Sequence, residues 1–198
     1  MAIYGSPRSG GNTDILMNEF LKGLEDERTS VDRLYVRDFC IASCRECLSC
    51  FQSGRCAIAD DMQPIYSRLL AADIVVLGSP IFFYGVTATA KALIDRAQAL
   101  WARKYVLKDP ALGEEGKKRE GYFISVGGTK GQRMFEGAIL TVKYFFDAFN
   151  TSYSGELLFR QVDAKGDIIK QPAALEEARA AGRAAVLAWL KKGGCHYK

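Results

Sequence analysis

Gly5-Ser6-Pro7-Arg8-Ser9-Gly10-Gly11-Asn12-Thr13 is the stretch on which the reading of this chain turns. A short apolar run, Ala2–Tyr4, precedes it. After it, Leu16, Met17, Phe20, Leu21 and Leu24 recur on one face of a helix that starts near Asn12 or Thr13. A strand, a glycine-rich turn and a helix N-terminus thus follow one another. In such a turn the backbone N–H groups approach an anion closely, and the helix dipole adds about half a positive charge. Ser6, Ser9, Asn12 and Thr13 supply neutral donors and Arg8 a cationic one. A Walker loop needs Gly-Lys-Ser/Thr after its four-residue gap, whereas Gly10 is followed by Gly11-Asn12, and the dinucleotide fingerprint G-x-G-x-x-G is absent. The turn suits a single phosphate held without metal; the plainer alternative is a capped turn with no ligand.

Outward from the turn, short β-branched runs alternate with longer helical periods. A second strand fits Val31–Val36, and Asp60-Asp61 offers an N-cap to a helix carrying Ile65, Leu69 and Leu70. Ile74-Val75-Val76-Leu77, closed by Gly78-Ser79-Pro80, has the continuous apolar character of a buried central strand. Leu93, Ala97, Leu100 and Trp101 mark the next helix. Gly121–Val126 makes a fourth strand, and Met134, Ala138, Val142, Phe145 and Phe149 a further helix. A fifth strand lies near Tyr153–Phe159, and Pro172 opens a last helix through Leu190 that Gly193-Gly194 stops. Five strands and five helices in alternation predict a doubly wound α/β protein with a parallel sheet, its ligand lying beyond the strands' carboxyl ends.

Composition bounds the remaining classes. The 198 residues are one domain's worth of chain, with no internal repeat and no linker, so residues 1–198 are expected to form a single domain. Hydrophobic residues at 48% and charged ones at 25% exclude a disordered chain and a fibre. The longest apolar stretch, Ala71–Tyr84, is interrupted by Asp73, Gly78 and Pro80 and is too short for a bilayer span, so no membrane partner is expected. No basic-then-apolar leader stands before the first strand, which predicts a cytoplasmic protein. Twenty-seven basic residues against 23 acidic ones leave a net charge of +4, which suits a phosphate-bearing cofactor or an acidic partner. The basic residues are scattered, so no nucleic-acid surface is predicted.

Pro80-Ile81-Phe82-Phe83-Tyr84-Gly85, at the end of the buried strand, offers aromatic surface and a backbone shaped by proline and glycine. A large planar ring system needs such apolar cover together with backbone N–H groups for its polar edge. The bland alternative makes Phe82, Phe83 and Tyr84 core or interface aromatics. In combination, Gly5-Ser6-Pro7-Arg8 with Gly11-Asn12-Thr13, Gly78–Gly85, Lys91-Ala92-Leu93-Ile94-Asp95-Arg96 and Gly127-Gly128-Thr129 resemble the NAD(P)H-dependent FMN reductase group of flavodoxin-like proteins. The resemblance covers most of the chain, with the three loops in the expected order; the first strand is several residues shorter than is usual in that group. It implies a flavodoxin-like sheet of order 2-1-3-4-5. Ser6, Arg8, Ser9, Gly11, Asn12 and Thr13 would then hold the FMN phosphate. Main-chain groups of Ile81, Phe82, Phe83, Tyr84 and Gly85, next to Pro80, would hold the ring, and Gly127, Gly128 and Thr129 would form the third loop.

Six cysteines are many for a reducing compartment. Cys44, Cys47, Cys50 and Cys56 fall within thirteen residues, at x2-x2-x5 spacing, in a cysteine-rich loop spanning 40–60. Three cysteines at x2-x2 spacing wrap around three corners of a cubane cluster, and the fourth, after a gap containing Gly54, closes it. Zinc sites usually place a longer loop between their C-x-x-C pairs, but zinc and a redox-active pair remain alternatives. Cys40 and Cys195 are expected to be ordinary thiols, and His196 a solvated side chain. The same spacing, with the Cys56-x3-Asp60-Asp61-Met62 junction, resembles the iron–sulfur flavoprotein branch of the FMN reductase family, in which the cysteines bind a [4Fe–4S] cluster.

Three functions follow as expectations. The first is an FMN- and [4Fe–4S]-dependent electron-transfer flavoprotein serving a ferredoxin-type carrier and a two-electron acceptor, with no side-chain acid or base in the chemistry. The resemblance adds a homodimer or homotetramer. The second is an NAD(P)H-dependent FMN or quinone reductase without a working cluster, in which Lys130 and Arg133 could help hold the nucleotide phosphate, with surface solvation the plainer role for both. The third is a non-enzymatic flavin-binding or redox-sensing module.

Overall fold

In the computed structural model, which describes residues 1–25 and 28–192, the first strand is only three residues long. It nevertheless lies in the middle of the sheet. β1 (Ala2–Tyr4) pairs on one side with β2 (Arg33–Tyr35) and on the other with β3 (Ile74–Gly78), which pairs in turn with β4 (Arg119–Gly127) and β4 with β5 (Thr151–Arg160). All four pairings are parallel and the order is β2-β1-β3-β4-β5, as the flavodoxin-like resemblance implied. Each right-handed crossover of such a sheet needs a helix to cover it. α1 (Asn12–Leu24), α3 (Met62–Ala71), α4 (Ala88–Arg96) and α6 (Glu136–Asp147) cover the four crossovers, and α7 (Pro172–Lys191) follows β5; the two short helices are α2 (Ser49–Ser53) and α5 (Gln98–Trp101).

Side chains alternate across the strands, so two cores form, one on each face. Ala2 and Tyr4 with Val76 and Ile124 pack against Leu16, Met17 and Phe20 of α1 and Ala178 and Ala185 of α7. Ile3 with Val75, Leu77 and Phe123 packs against Ile65 and Leu69 of α3, Leu93 of α4 and Val142 and Phe146 of α6. On the first face, α1 and α7 approach to backbone contact. A Cβ at Gly23 would come 1.9 Å from the Arg179 carbonyl oxygen, and one at Gly182 would come 2.0 Å from that of Phe20.

Several boundaries differ from the periodicity. β2 is shorter than Val31–Val36, because Val36 begins a 3-10 turn through Asp38. The helix marked by Leu93, Ala97, Leu100 and Trp101 breaks at Ala97 into α4 and α5 and unwinds into a π turn over Ala102–Val106. β4 and β5 are longer than expected, and α7 ends at Lys191; Gly193, Gly194, Cys195 and His196 lie outside the described residues. Among the described residues no helix is long and apolar enough to cross a membrane.

The α1–α7 contact makes a direct prediction. Gly182→Ala gains about 1 kcal/mol of helix propensity, yet forces the helices apart at a cost of roughly 1–3 kcal/mol. Its urea midpoint should fall; an unchanged or higher midpoint would show that the two helices separate freely.

Candidate functional site

The turn after β1 folds around its own side chains. Ser6, buried, accepts from the Arg8 N–H through Oγ (3.2 Å), and the Gly11 N–H reaches the Arg8 carbonyl (3.2 Å). Gly10 takes φ = 61°, a left-handed conformation open to glycine, and donates its N–H to Asp14 Oδ2 (3.0 Å). No side chain caps α1 at Gly11, which leaves its first-turn N–H groups to face the cleft. Burial pushes the Asp14 carboxyl up, against the opposing pull of Arg37, whose guanidinium lies 3.1 Å away. Arg37 also donates to the Ser6 carbonyl (3.2 Å) and covers the Tyr35 ring. The Arg8 side chain is exposed and has only a long 3.5 Å contact to the Asp163 carbonyl, so it is at liberty to turn toward an anion.

At the end of β3 the chain stays laddered to β4: the Ile81 N–H donates to the Val126 carbonyl (2.9 Å) and Ser125 Oγ to the Ser79 carbonyl (2.7 Å). Thr87 caps α4 through the Ala90 N–H (3.2 Å) and donates to the Gly5 carbonyl (2.5 Å), tying this loop to the first. Between them Phe82 and Gly85 exchange two backbone bonds (2.9 and 3.0 Å) around Phe83 (φ 49°) and Tyr84 (φ 62°). This two-residue turn of primed type normally takes Asn-Gly. Placing two aromatic residues in left-handed conformations costs about 1–2 kcal/mol each. Phe82, Phe83 and Tyr84 are 51, 104 and 60% exposed, which overturns the alternative that they are core.

The three loops meet. A cleft of about 140 Å³ at the carboxyl ends of the strands is lined by Ser6, Arg8, Gly11, Asn12 and Thr13, by Pro80, Ile81 and Phe82, and by Gly127 and Gly128. Ser9, Phe83, Tyr84, Gly85 and Thr129 lie off its wall. The amide of Asn12 faces elsewhere: it donates to the Ala164 carbonyl (2.8 Å) and accepts from the Gly166 N–H (2.9 Å), so the side chain braces the turn after β5. That turn brings Val162 and Asp163 into the wall, and Lys165 Nζ sits 3.9 Å from where a Cβ of Gly10 would lie. None of these three is legible in the sequence, being some 150 residues from the turn after β1. Arg133 is exposed and pairs with Glu136 (2.8 Å), and Lys130 is exposed as well, in keeping with the plainer, solvated role for both.

The four clustered cysteines line a separate cavity of about 350 Å³, together with Leu48, Phe51, Ile58 and Arg96. They are free thiols. Glu46 and Leu48, either side of Cys47, take left-handed conformations (φ 52° and 58°) that wrap the chain around the cavity. Phe51 stacks at 5.9 Å on Trp101, which holds α2 against α5. Burial, and the facing thiols of Cys56, Cys44 and Cys47, push the Cys50 thiol up; the Ser49 hydroxyl and N–H pull that of Cys47 down. Among the described residues no three Cys, His, Asp or Glu side chains stand close enough to hold one metal ion.

Both ends of this loop are fastened to α4. Arg96, with a side chain 0% exposed, pairs with Asp60 (2.6 and 3.0 Å) and donates to the carbonyls of Ala42 (2.9 Å) and Ile58 (3.2 Å). Asp60 also accepts from the Ala42 and Met62 N–H groups (2.9 and 3.1 Å). Of the expected capping pair, Asp61 holds the N-cap position of α3 but its carboxylate accepts from the Cys40 N–H (2.7 Å), and it is Asp60, one residue earlier, that accepts from the first helical N–H. Sequence periodicity holds one sign of this joint: Arg96 stands three residues after Leu93, on a helix face that should be apolar.

A model of the family described as NADPH-dependent FMN reductase matches residues 1–157. The iron-sulfur flavoprotein MJ1083 of Methanocaldococcus jannaschii is 37% identical over 100 residues, which is 50% of this chain and 52% of that protein, so the match spans about half of the relative's length. YwqN of Bacillus subtilis, with the provisional name NAD(P)H-dependent FMN-containing oxidoreductase, is 28% identical over 179 residues, 89% of this chain and 92% of that protein. Among solved structures, the NAD(P)H:quinone oxidoreductase of Methanothermobacter marburgensis superimposes with a TM-score of 0.67 over 92% of each chain, at 16% identity, a likeness of fold.

The Asp60–Arg96 joint has a pH signature. Hydrogen bonds from Arg96 hold the Asp60 carboxyl below its ordinary value, against the opposing effect of burial. The resulting stability is present above the unfolded carboxylate value near 4 and is lost as pH falls through the lower folded value. Asp60→Asn should therefore be less stable than the wild type at pH 7, with the gap closing in acid below about pH 4. Urea titrations at a series of pH values check this; a gap that does not vary with pH would remove the electrostatic role.

Proposed function

The chain belongs to the NADPH-dependent FMN reductase family, and on that footing we propose that it is an electron-transfer flavoprotein carrying FMN and a [4Fe–4S] cluster. It exchanges electrons between a ferredoxin-type carrier and a two-electron acceptor, in the cytoplasm, where thiols stay reduced. When bound, FMN supplies two-electron chemistry and the cluster single-electron exchange. The chain's own residues bind and orient. N–H groups of the turn and of the first turn of α1, with Ser6, Ser9, Thr13 and the mobile charge of Arg8, take the phosphate. Backbone of Ile81–Gly85 and of Gly127-Gly128-Thr129 takes the ring. Cys44, Cys47, Cys50 and Cys56 hold the cluster.

One observation carries this reading: four free thiols surround a single cavity of about 350 Å³. Tetrahedral zinc at its usual Zn–S distance of about 2.3 Å would draw four sulfurs to about 3.8 Å from one another. A cubane, with one thiolate on each iron, spreads its ligands more widely. The name of the archaeal relative, an iron-sulfur flavoprotein, agrees with the same assignment. The exposed Phe83 and Tyr84, with the exposed Leu140 and Tyr144 of α6, supply apolar surface for a homodimer or homotetramer.

A second reading, an NAD(P)H-dependent FMN or quinone reductase without a working cluster, is favoured by the match to YwqN along nearly the whole of that protein.

Anaerobic purification with iron, acid-labile sulfide and flavin analysis separates the two. About four iron and four sulfide per FMN is the expected result; flavin alone, with rapid bleaching by NADPH, would establish the second reading. Cys47→Ser should abolish the cluster absorbance and leave FMN bound, since the two sites have separate walls; loss of both would overturn that separation. Arg8→Ala should weaken FMN by about 1.5–3 kcal/mol, the worth of a charged hydrogen bond, as read by flavin fluorescence titration. Unchanged affinity would return Arg8 to solvent.

A further inference from the structure

A guanidinium carries five N–H donors in a fixed fork. Four of those on Arg96 are spent: the two of Nη1 on Ala42 O and Asp60 Oδ2, the two of Nη2 on Ile58 O and Asp60 Oδ1. The fifth, at Nε, is buried and has no hydrogen-bond partner among the described residues. Leaving a buried donor unpaired costs about 1–3 kcal/mol, more for a charged group. Arg96 and Cys56 are both wall residues of the cavity that the four cysteines line, close enough to interact electrostatically. Burial works against the charge on Arg96, but the Asp60 carboxylate, Tyr66 and the Cys56 sulfur hold its pKa above the ordinary value. The Tyr66 hydroxyl donates to the Arg96 carbonyl (2.9 Å) and makes no bond with the Nε–H.

We propose that the Nε–H of Arg96 is held for the Cys56 sulfur, donating to it when that sulfur is a cluster ligand, so that Arg96 positions Cys56 and raises the cluster's reduction potential. The inference rests on the cluster reading above. A thiolate bound to iron is a far better acceptor than a thiol, and a donor aimed at it favours the more negative, reduced cluster. The pairing with Asp60 leaves the site without net charge, so the effect resides in the directed N–H. It also gives α4 a role beyond packing: the helix that begins at the ring loop ends under the cluster.

Arg96→Lys keeps a cation beside Asp60 and removes the Nε donor. In anaerobically loaded protein with wild-type iron and sulfide content, its cluster midpoint should fall by at least a tenfold shift in the one-electron equilibrium, about 59 mV, while the FMN midpoint stays. In wild type carrying 15N-arginine, pulsed EPR of the reduced cluster should show a 15N coupling that survives in Arg45→Lys and vanishes in Arg96→Lys. An unchanged cluster potential in a loaded variant, or a coupling that follows Arg45, overturns the assignment. Should Arg96→Lys not fold, the labelled wild type decides alone: no 15N coupling overturns the proposal. Wild type that purifies without iron and sulfide overturns the cluster reading instead, before the variant is made.

Discussion

The buried ion pair of Arg96 and Asp60 is the joint on which the two halves of the site depend. Taking both charges out of water is costly, and an apolar pair of similar volume would often be as stable. What an apolar pair could not do is hold two carbonyls, those of Ala42 and Ile58, and two backbone N–H groups, those of Ala42 and Met62, at fixed places. The segment between them has little else to order it, since Cys44 and Cys47 are exposed and α2 contributes no buried residue. The loop is thus defined by a polar clasp at its root rather than by a core of its own.

A second ion pair solves a different difficulty. Asp14 lies in the first turn of α1, where a carboxylate suits the helix dipole but opposes any anion at the same N-terminus. Its hydrogen bond to the Gly10 N–H fixes the left-handed turn of the loop, so the carboxylate is structurally useful where it is electrostatically awkward. Arg37, reaching from the turn after β2, neutralises it and at the same time grips the Ser6 carbonyl. With Asp14 answered from below, the N–H groups of α1, Arg8 and the nearby Lys165 stay unopposed by its charge, as the proposed phosphate site requires.

The parts legible in the sequence are those whose demands are local. Glycine, proline and small polar residues mark the three loops, and strand and helix periods set the sheet. The aromatic run Phe82-Phe83-Tyr84 announces an unusual surface, but not its tight turn, because nothing in a Phe-Tyr pair asks for left-handed backbone. The position of Asn12 suggests a ligand donor, whereas its amide serves residues 164–166. Arg37, Asp163, Lys165 and the Asp60–Arg96 clasp escape a sequence reading for one reason: each acts on a partner 20 or more residues away, brought near only by the parallel crossovers.

The strained hairpin and the clasp stand at opposite ends of α4. Thr87 caps its start and bonds the Gly5 carbonyl, and Arg96 closes its end under the cysteine cavity. A single nine-residue helix, with its cap, therefore touches the turn after β1, the hairpin after β3 and the cysteine loop. A helix of nine residues is about 13.5 Å long at 1.5 Å per residue, so its two ends keep their separation while each is set by its own contacts. Left-handed backbone at Phe83 and Tyr84 persists only where the surroundings over-determine it. The ladder bond of Ile81 to Val126 on one side and the Thr87 cap on the other supply that constraint. The same rigidity that holds the hairpin against its strain fixes the distance at which the cysteine cavity stands from the cleft.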